Sequence, residues 1–124
     1  MAEKDSRRYN SLMARHSSQM CEKFQGALDL FAKRWTGQII HALLDGPARY
    51  GELSARIEVV GDKMLAERLH ELEENGIVAR TVIEKPIGTQ YALTEKGRAL
   101  SRVFGAVEQW ADTWMPAPRK VRAR

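Results

Sequence analysis

A chain of 124 residues with 44% hydrophobic content and three tryptophans is long enough for one domain with an ordinary core, so no disulfide or structural metal is needed to hold it. Its polar MAEKDSRRYN start, the absence of eighteen consecutive apolar residues and its single cysteine, Cys21, exclude a secretory signal, a membrane span and an internal disulfide; the expected location is the cytoplasm. The net charge of +4 originates in Arg119, Lys120, Arg122 and Arg124, and the rest of the chain carries sixteen residues of each sign, so charge alone argues only weakly for a nucleic-acid partner.

Residues 1–20 show no clear period and read as an N-terminal arm. Phe24, Ala27, Leu28 and Phe31 recur at helical spacing and predict a first helix, with Cys21 just before it. Lys33 and Arg34 interrupt the pattern, and Trp35, Ile39, Ile40, Leu43 and Leu44 restart it, with Thr36 as the expected N-cap. Asp45-Gly46-Pro47 stops this second helix, since glycine suits a left-handed cap and proline cannot continue the helix. A third helix begins near Arg49 and buries Tyr50, Leu53 and Ile57; residues 58–61 form the turn after it.

The fourth helix runs from Asp62, its expected N-cap, to Asn75, with Gly76 closing it. Leu65, Leu69 and Leu72 fall within roughly 60° of one another on the helical wheel, which leaves Lys63, Ala66, Glu67, His70 and Glu74 on the opposite face. Residues 77–83 and 89–93 are strand-like runs around Pro86 and Gly88, predicting a β-hairpin. After Thr94 a long helix extends to Trp114 with the stripe Leu100, Val103, Phe104, Val107, Trp110, Ala111 and Trp114. Pro116 and Pro118 end it, and residues 116–124 form a basic tail; no internal repeat is present.

Helix, turn, helix, hairpin is the order of a winged helix-turn-helix, an α+β, mostly helical fold. Its logic is that a helix with a narrow apolar stripe packs on its neighbours while its far face enters the major groove. The same architecture also serves as a protein-interaction module that reads no DNA, which is the alternative here.

Particular segments discriminate further. They are Cys21-Glu22-Lys23-Phe24, Ala27-Leu28-Asp29-Leu30, Lys33-Arg34-Trp35-Thr36, Leu44-Asp45-Gly46-Pro47 and Tyr50-Gly51-Glu52-Leu53. Lys63-Met64-Leu65, Glu67-Arg68-Leu69, Leu72-Glu73, Gly76-Ile77-Val78-Ala79-Arg80, Tyr91-Ala92-Leu93-Thr94-Glu95-Lys96-Gly97 and Trp110 complete the series. In this order, the stretch from Cys21 to Trp114 resembles the HxlR family of bacterial winged-helix regulators, relatives of the MarR type. The resemblance implies a homodimer whose terminal helices build the dimer and whose fourth helix recognises double-stranded DNA. It implies domain limits of about 21–115 and, since some members sense oxidants through the corresponding cysteine, a redox role for Cys21 with an oxidant or small-molecule inducer. Three departures stand out: Glu22 where the family usually has proline, Gly61-Asp62 where a serine commonly opens the recognition helix, and Gly88 where an arginine is frequent near the wing tip.

The expected DNA contacts are Lys63 and Arg68, with Glu67 and His70, on the fourth helix, then Lys33, Arg34 and Arg49 at helix starts, and Arg80 and Lys85 on the hairpin. Between Asp62 and Asn75 five acids oppose two bases, mostly toward the C-terminal end, away from the groove floor. Phe104, Val107, Trp110 and Trp114 are the expected dimer interface. His16, His41 and His70 are too far apart for a metal motif, and Cys21 has no histidine partner in the sequence. No catalytic residue, metal or cofactor is expected; the chain reads as a homodimeric repressor on a two-fold operator and not as an enzyme.

Overall fold

The computed structural model describes residues 18–118, and the chain divides into two units, residues 1–37 and 38–124. Most of the expected arm and the four cations of the basic tail lie outside the described residues. The first unit contains helix α1 (Ser18–Ala32), which starts well before Phe24 and therefore contains Cys21 in its first turn, where the sequence placed it ahead of the helix. Met20, Phe24 and Leu28, at i, i+4 and i+8, are all exposed, so this helix shows an apolar face to solvent. The turn to helix α2 (Thr36–Leu44) is made by Trp35 in the left-handed region at φ 75°, and the Thr36 N–H donates to the Lys33 carbonyl at 3.2 Å. Thr36 is thus the first helical residue, where the sequence placed it as the N-cap.

In the second unit, Gly46 ends α2 at φ 138°, as its Gly-Pro stop predicts. Strand β1 (Ala48–Arg49) leads directly into helix α3 (Tyr50–Arg56), and a single 3₁₀ turn (Glu58–Val60) occupies the linker read as a bare turn. Helix α4 (Asp62–Glu74) ends in a Schellman motif: the Ile77 N–H donates to the Leu72 carbonyl at 2.9 Å, the Gly76 N–H to the Glu73 carbonyl at 3.0 Å, and Gly76 sits at φ 73°. Strands β2 (Val78–Glu84) and β3 (Ile87–Leu93) pair antiparallel from Val78↔Leu93 to Glu84↔Ile87, leaving Lys85-Pro86 as the tip. β1 adds to the far edge of β3 through Ala48↔Tyr91 and Arg49↔Gln90, giving the order β1-β3-β2. Two residues carry no periodicity, so this strand was invisible in the sequence.

The core combines Ile39, Ile40 and Leu43 of α2, Leu53 of α3, the three leucines of α4, and Ile77, Val78, Tyr91 and Leu93 around the sheet. Burying each such aliphatic side chain contributes ~1.5–3 kcal/mol relative to leaving it in water, so the α4 stripe alone anchors that helix firmly. The long C-terminal helix is divided into α5 (Glu95–Arg98), capped by the Thr94 hydroxyl, and α6 (Leu100–Trp114). On α6 the expected single stripe separates into two adjacent faces. Leu100, Phe104 and Ala111 are half-buried, whereas Val103, Val107, Trp110 and Trp114 are exposed. Among the described residues no helix is long and apolar enough to cross a membrane.

Candidate nucleic-acid interface

The angle between α3 and α4 is set by polar ties at the start of α4. The Tyr50 hydroxyl donates to the Asp62 carbonyl at 2.8 Å, and the Ser54 hydroxyl donates to Asp62 Oδ1 at 2.9 Å. Burial, then the Asp62 carboxylate and Tyr91, raise the Tyr50 phenol above its ordinary value, so it remains a donor throughout the physiological range. Asp62 is consequently not the N-cap. Gly61 holds that position at φ 80°, and the Asp62 carboxylate is turned toward Ser54 on the preceding helix.

With its leucines wholly buried, α4 leaves Lys63, Ala66, Glu67 and His70 exposed on the opposite face. Lys63, in the first turn, has no carboxylate partner among the described residues. His70 is bound to Glu74 at 2.8 Å across one turn, so its imidazole is engaged within the helix, and Lys63, beside Glu67, is the one cation of this face among the described residues. Arg68 lies elsewhere: its side chain is only 15% exposed on the flank of the leucine stripe, with Nη1 3.2 Å from Glu71 Oε1. The structure gives it an intrahelical partner and not the outer face.

On the hairpin, Arg80 stands 3.9 Å from Glu73, while Lys85 is exposed at the tip with no carboxylate partner among the described residues. Arg49 extends to the same tip and donates from Nη1 to the Pro86 carbonyl at 2.9 Å, a link no sequence signal disclosed. The wing base is fixed to the end of α4 by Thr94, whose hydroxyl donates to the carbonyls of Gly76 and Ile77, and by Lys96, which donates to the Asn75 carbonyl at 2.7 Å. Lys33 and Arg34 belong to the first unit, where both are exposed and the Arg34 guanidinium lies 4.5 Å over the Trp35 ring. Cys21 is exposed. Among the described residues no three His, Cys, Asp or Glu gather into a metal-holding group.

The arrangement is a helix presented outward by a buried stripe, flanked by a two-stranded wing: a shape suited to the major groove, whose width admits one helix. The family model for the HxlR-like helix-turn-helix matches residues 30–119. The HTH-type transcriptional regulator YodB of Bacillus subtilis is 52% identical over 94 residues, covering 75% of this chain and 84% of that protein. The structure of reduced YodB superposes with a TM-score of 0.71 at 48% identity, over 78% of this chain and 96% of that one. Quinone-bound YodB follows at a TM-score of 0.68 and 49% identity, over 74% and 97%. The winged fold and the regulator reading of the sequence both hold, and this chain belongs to the HxlR-like helix-turn-helix family as a DNA-binding transcription regulator.

Proposed function

We propose that two copies of this chain bind a two-fold symmetric operator, each placing α4 in one of two successive major grooves, and that they repress by denying the site to polymerase. The observation that carries this is the outer face of α4: an exposed Lys63 without a carboxylate partner among the described residues, on a helix fixed from behind by three wholly buried leucines. Lys63 reads a base edge, Arg49 and Lys85 hold the DNA backbone beside the wing, and Glu67 and His70 tune preference farther along α4. Arg80 is a weaker phosphate contact on the hairpin, and Lys33 and Arg34 are phosphate contacts of the first unit; Arg68 stays with Glu71. The chain has no catalytic task in this scheme, and its place is the cytoplasm, where its DNA lies.

The test is a titration of the full chain against the duplex upstream of its own gene and a scrambled duplex of equal length. Tighter binding to the upstream duplex is expected; equal binding to both overturns the operator reading. Lys63→Ala should weaken specific binding by ~1–3 kcal/mol and relax preference at one half-site position. If affinity stays the same at two salt concentrations, Lys63 is outside the interface.

A second reading concerns the inducer, and two observations favour it: Cys21 is exposed, and a similar protein has been captured with a quinone. The Cys21 thiolate adds to a quinone ring carbon, forming a C–S bond and turning one carbonyl into an enolate; the enolate oxygen takes up the thiol proton, and the hydrogen of the attacked carbon leaves it for the other oxygen, giving a hydroquinone thioether. No further oxidant is consumed. The adduct disturbs the seam between subunits, so the two recognition helices no longer match both half-sites. Quinone should release wild-type protein from the operator and leave Cys21→Ser bound. Undiminished affinity of a wild-type sample shown by mass to carry the adduct makes Cys21 a packing residue.

A further inference from the structure

Arg49 is fixed at its backbone and extended at its side chain. Its N–H donates to Glu52 Oε1 at 3.1 Å, and it pairs with Gln90 across the sheet. From there the side chain passes Gly88, where an added Cβ would stand 3.2 Å from Nη1, and ends on the Pro86 carbonyl. Gly88 is not among the glycines with positive φ, so the backbone does not demand glycine there; the room it leaves is taken by the guanidinium.

The partner at the tip is neutral. Arg56, Arg68 and Arg80 each face a carboxylate, at 3.9, 3.2 and 3.9 Å, whereas Arg49 has none among the described residues. A guanidinium has five N–H donors in a rigid fork, and the bond to the Pro86 carbonyl leaves both its charge and most of those donors available. They lie beside an open cleft of about 520 Å³ whose walls include Tyr50, Glu52, Ile87, Gly88 and Thr89, between the start of α3 and the wing. Lys85, also without a carboxylate partner among the described residues, neighbours Pro86 at the tip.

We propose that Arg49 is the wing-positioning residue: one N–H ties the hairpin tip to the helix-turn-helix, and the others take a phosphate of the DNA backbone at the flank of each half-site. This deepens the operator reading given above and rests on it. Charge-assisted, forked bonds to phosphate fix register without reading sequence, which suits a residue that sets where the wing comes down. Gly88 belongs to the same device, because any larger side chain moves the guanidinium.

Two measurements on the 124-residue chain separate the parts. In the free protein, Arg49→Ala should speed amide exchange at Ile87 and Gly88 about tenfold while the melting temperature holds; unchanged exchange overturns the tie. On the operator, hydroxyl-radical footprinting should show Arg49→Ala losing protection at the outermost backbone positions only, with affinity about tenfold weaker and the salt slope lower by about one. Retained flank protection and slope overturn the phosphate role. Arg49→Lys should recover the slope without the slow exchange, since the ammonium's three donors radiate from one nitrogen and lack the spread by which the guanidinium fork spans carbonyl and phosphate. Gly88→Val should reproduce the effects of Arg49→Ala with the arginine still present, and the double variant should be no worse than either; strictly additive losses overturn the shared device. A wild type that protects no DNA at all defeats the operator reading and the phosphate role with it, while the exchange experiment still decides the tie.

Discussion

Gly97→Ala is expected to destabilise the fold by about 3 kcal/mol, a large share of the ~5–15 kcal/mol that holds a typical domain together. Gly97 is buried in α5, where an added Cβ would run into the Ile77 carbonyl oxygen, with Leu93 Cδ2 at 3.0 Å and Ile77 Cγ2 at 3.2 Å. That oxygen cannot withdraw without loss. It accepts from the Thr94 N–H at 3.0 Å and from the Thr94 hydroxyl at 3.2 Å, and the same hydroxyl accepts from the Gly97 N–H at 3.2 Å. One methyl group therefore presses on the junction where α4 ends, the wing closes and α5 begins. Equilibrium denaturation should show a lower midpoint with little change in slope, and the melting temperature should fall by on the order of 10 °C. A wild-type midpoint would mean that α5 can shift on the sheet at no cost.

That junction also shows which parts of the molecule the sequence disclosed. α4 was legible in its buried face and its end but not in its cap, because a narrow leucine stripe and a glycine stop are local signals that both survive in the structure. The hairpin was legible from its β-branched run, although its loop is tighter than expected. What was hidden depends on distant partners. β1 exists because β3 lies beside it, Asp62 serves Ser54 instead of its own helix, and Arg49 reaches a carbonyl 37 residues away. A base seen in sequence declares its charge but not whether an acid already holds it. Arg68 and Lys63 were both expected contacts, with Arg68 beside the leucine stripe, and among the described residues Arg68 is held by Glu71 while Lys63 has no carboxylate partner. Periodicity failed in the same manner on α6, where it marked an apolar arc without showing which half the chain itself covers.

That division of α6 governs the second large effect. Val103, Val107, Trp110 and Trp114 lie within about 60° of one another at the helical repeat and are 42%, 58%, 59% and 71% exposed. Phe104, one position around the helix, is half-buried. A monomer would leave two tryptophans and two valines aligned in water, the kind of contiguous apolar surface that marks an interface. Trp110→Ala should weaken dimerisation by ~2 kcal/mol or more, a loss of roughly thirtyfold in the dissociation constant, because large aromatics near the middle of a seam dominate its energy. Phe104→Ala is the discriminating control: its half-buried ring should report chiefly in chain stability, whereas Trp110 should report in association with the melting of the monomer unchanged. Operator affinity must follow the dimer, since a single subunit engages one half-site only. Trp110→Ala should therefore bind DNA weakly when dilute and regain affinity as protein concentration rises. Sedimentation at micromolar concentration decides the matter, and a wild-type chain that runs as a monomer there would remove both the seam and the two-fold operator.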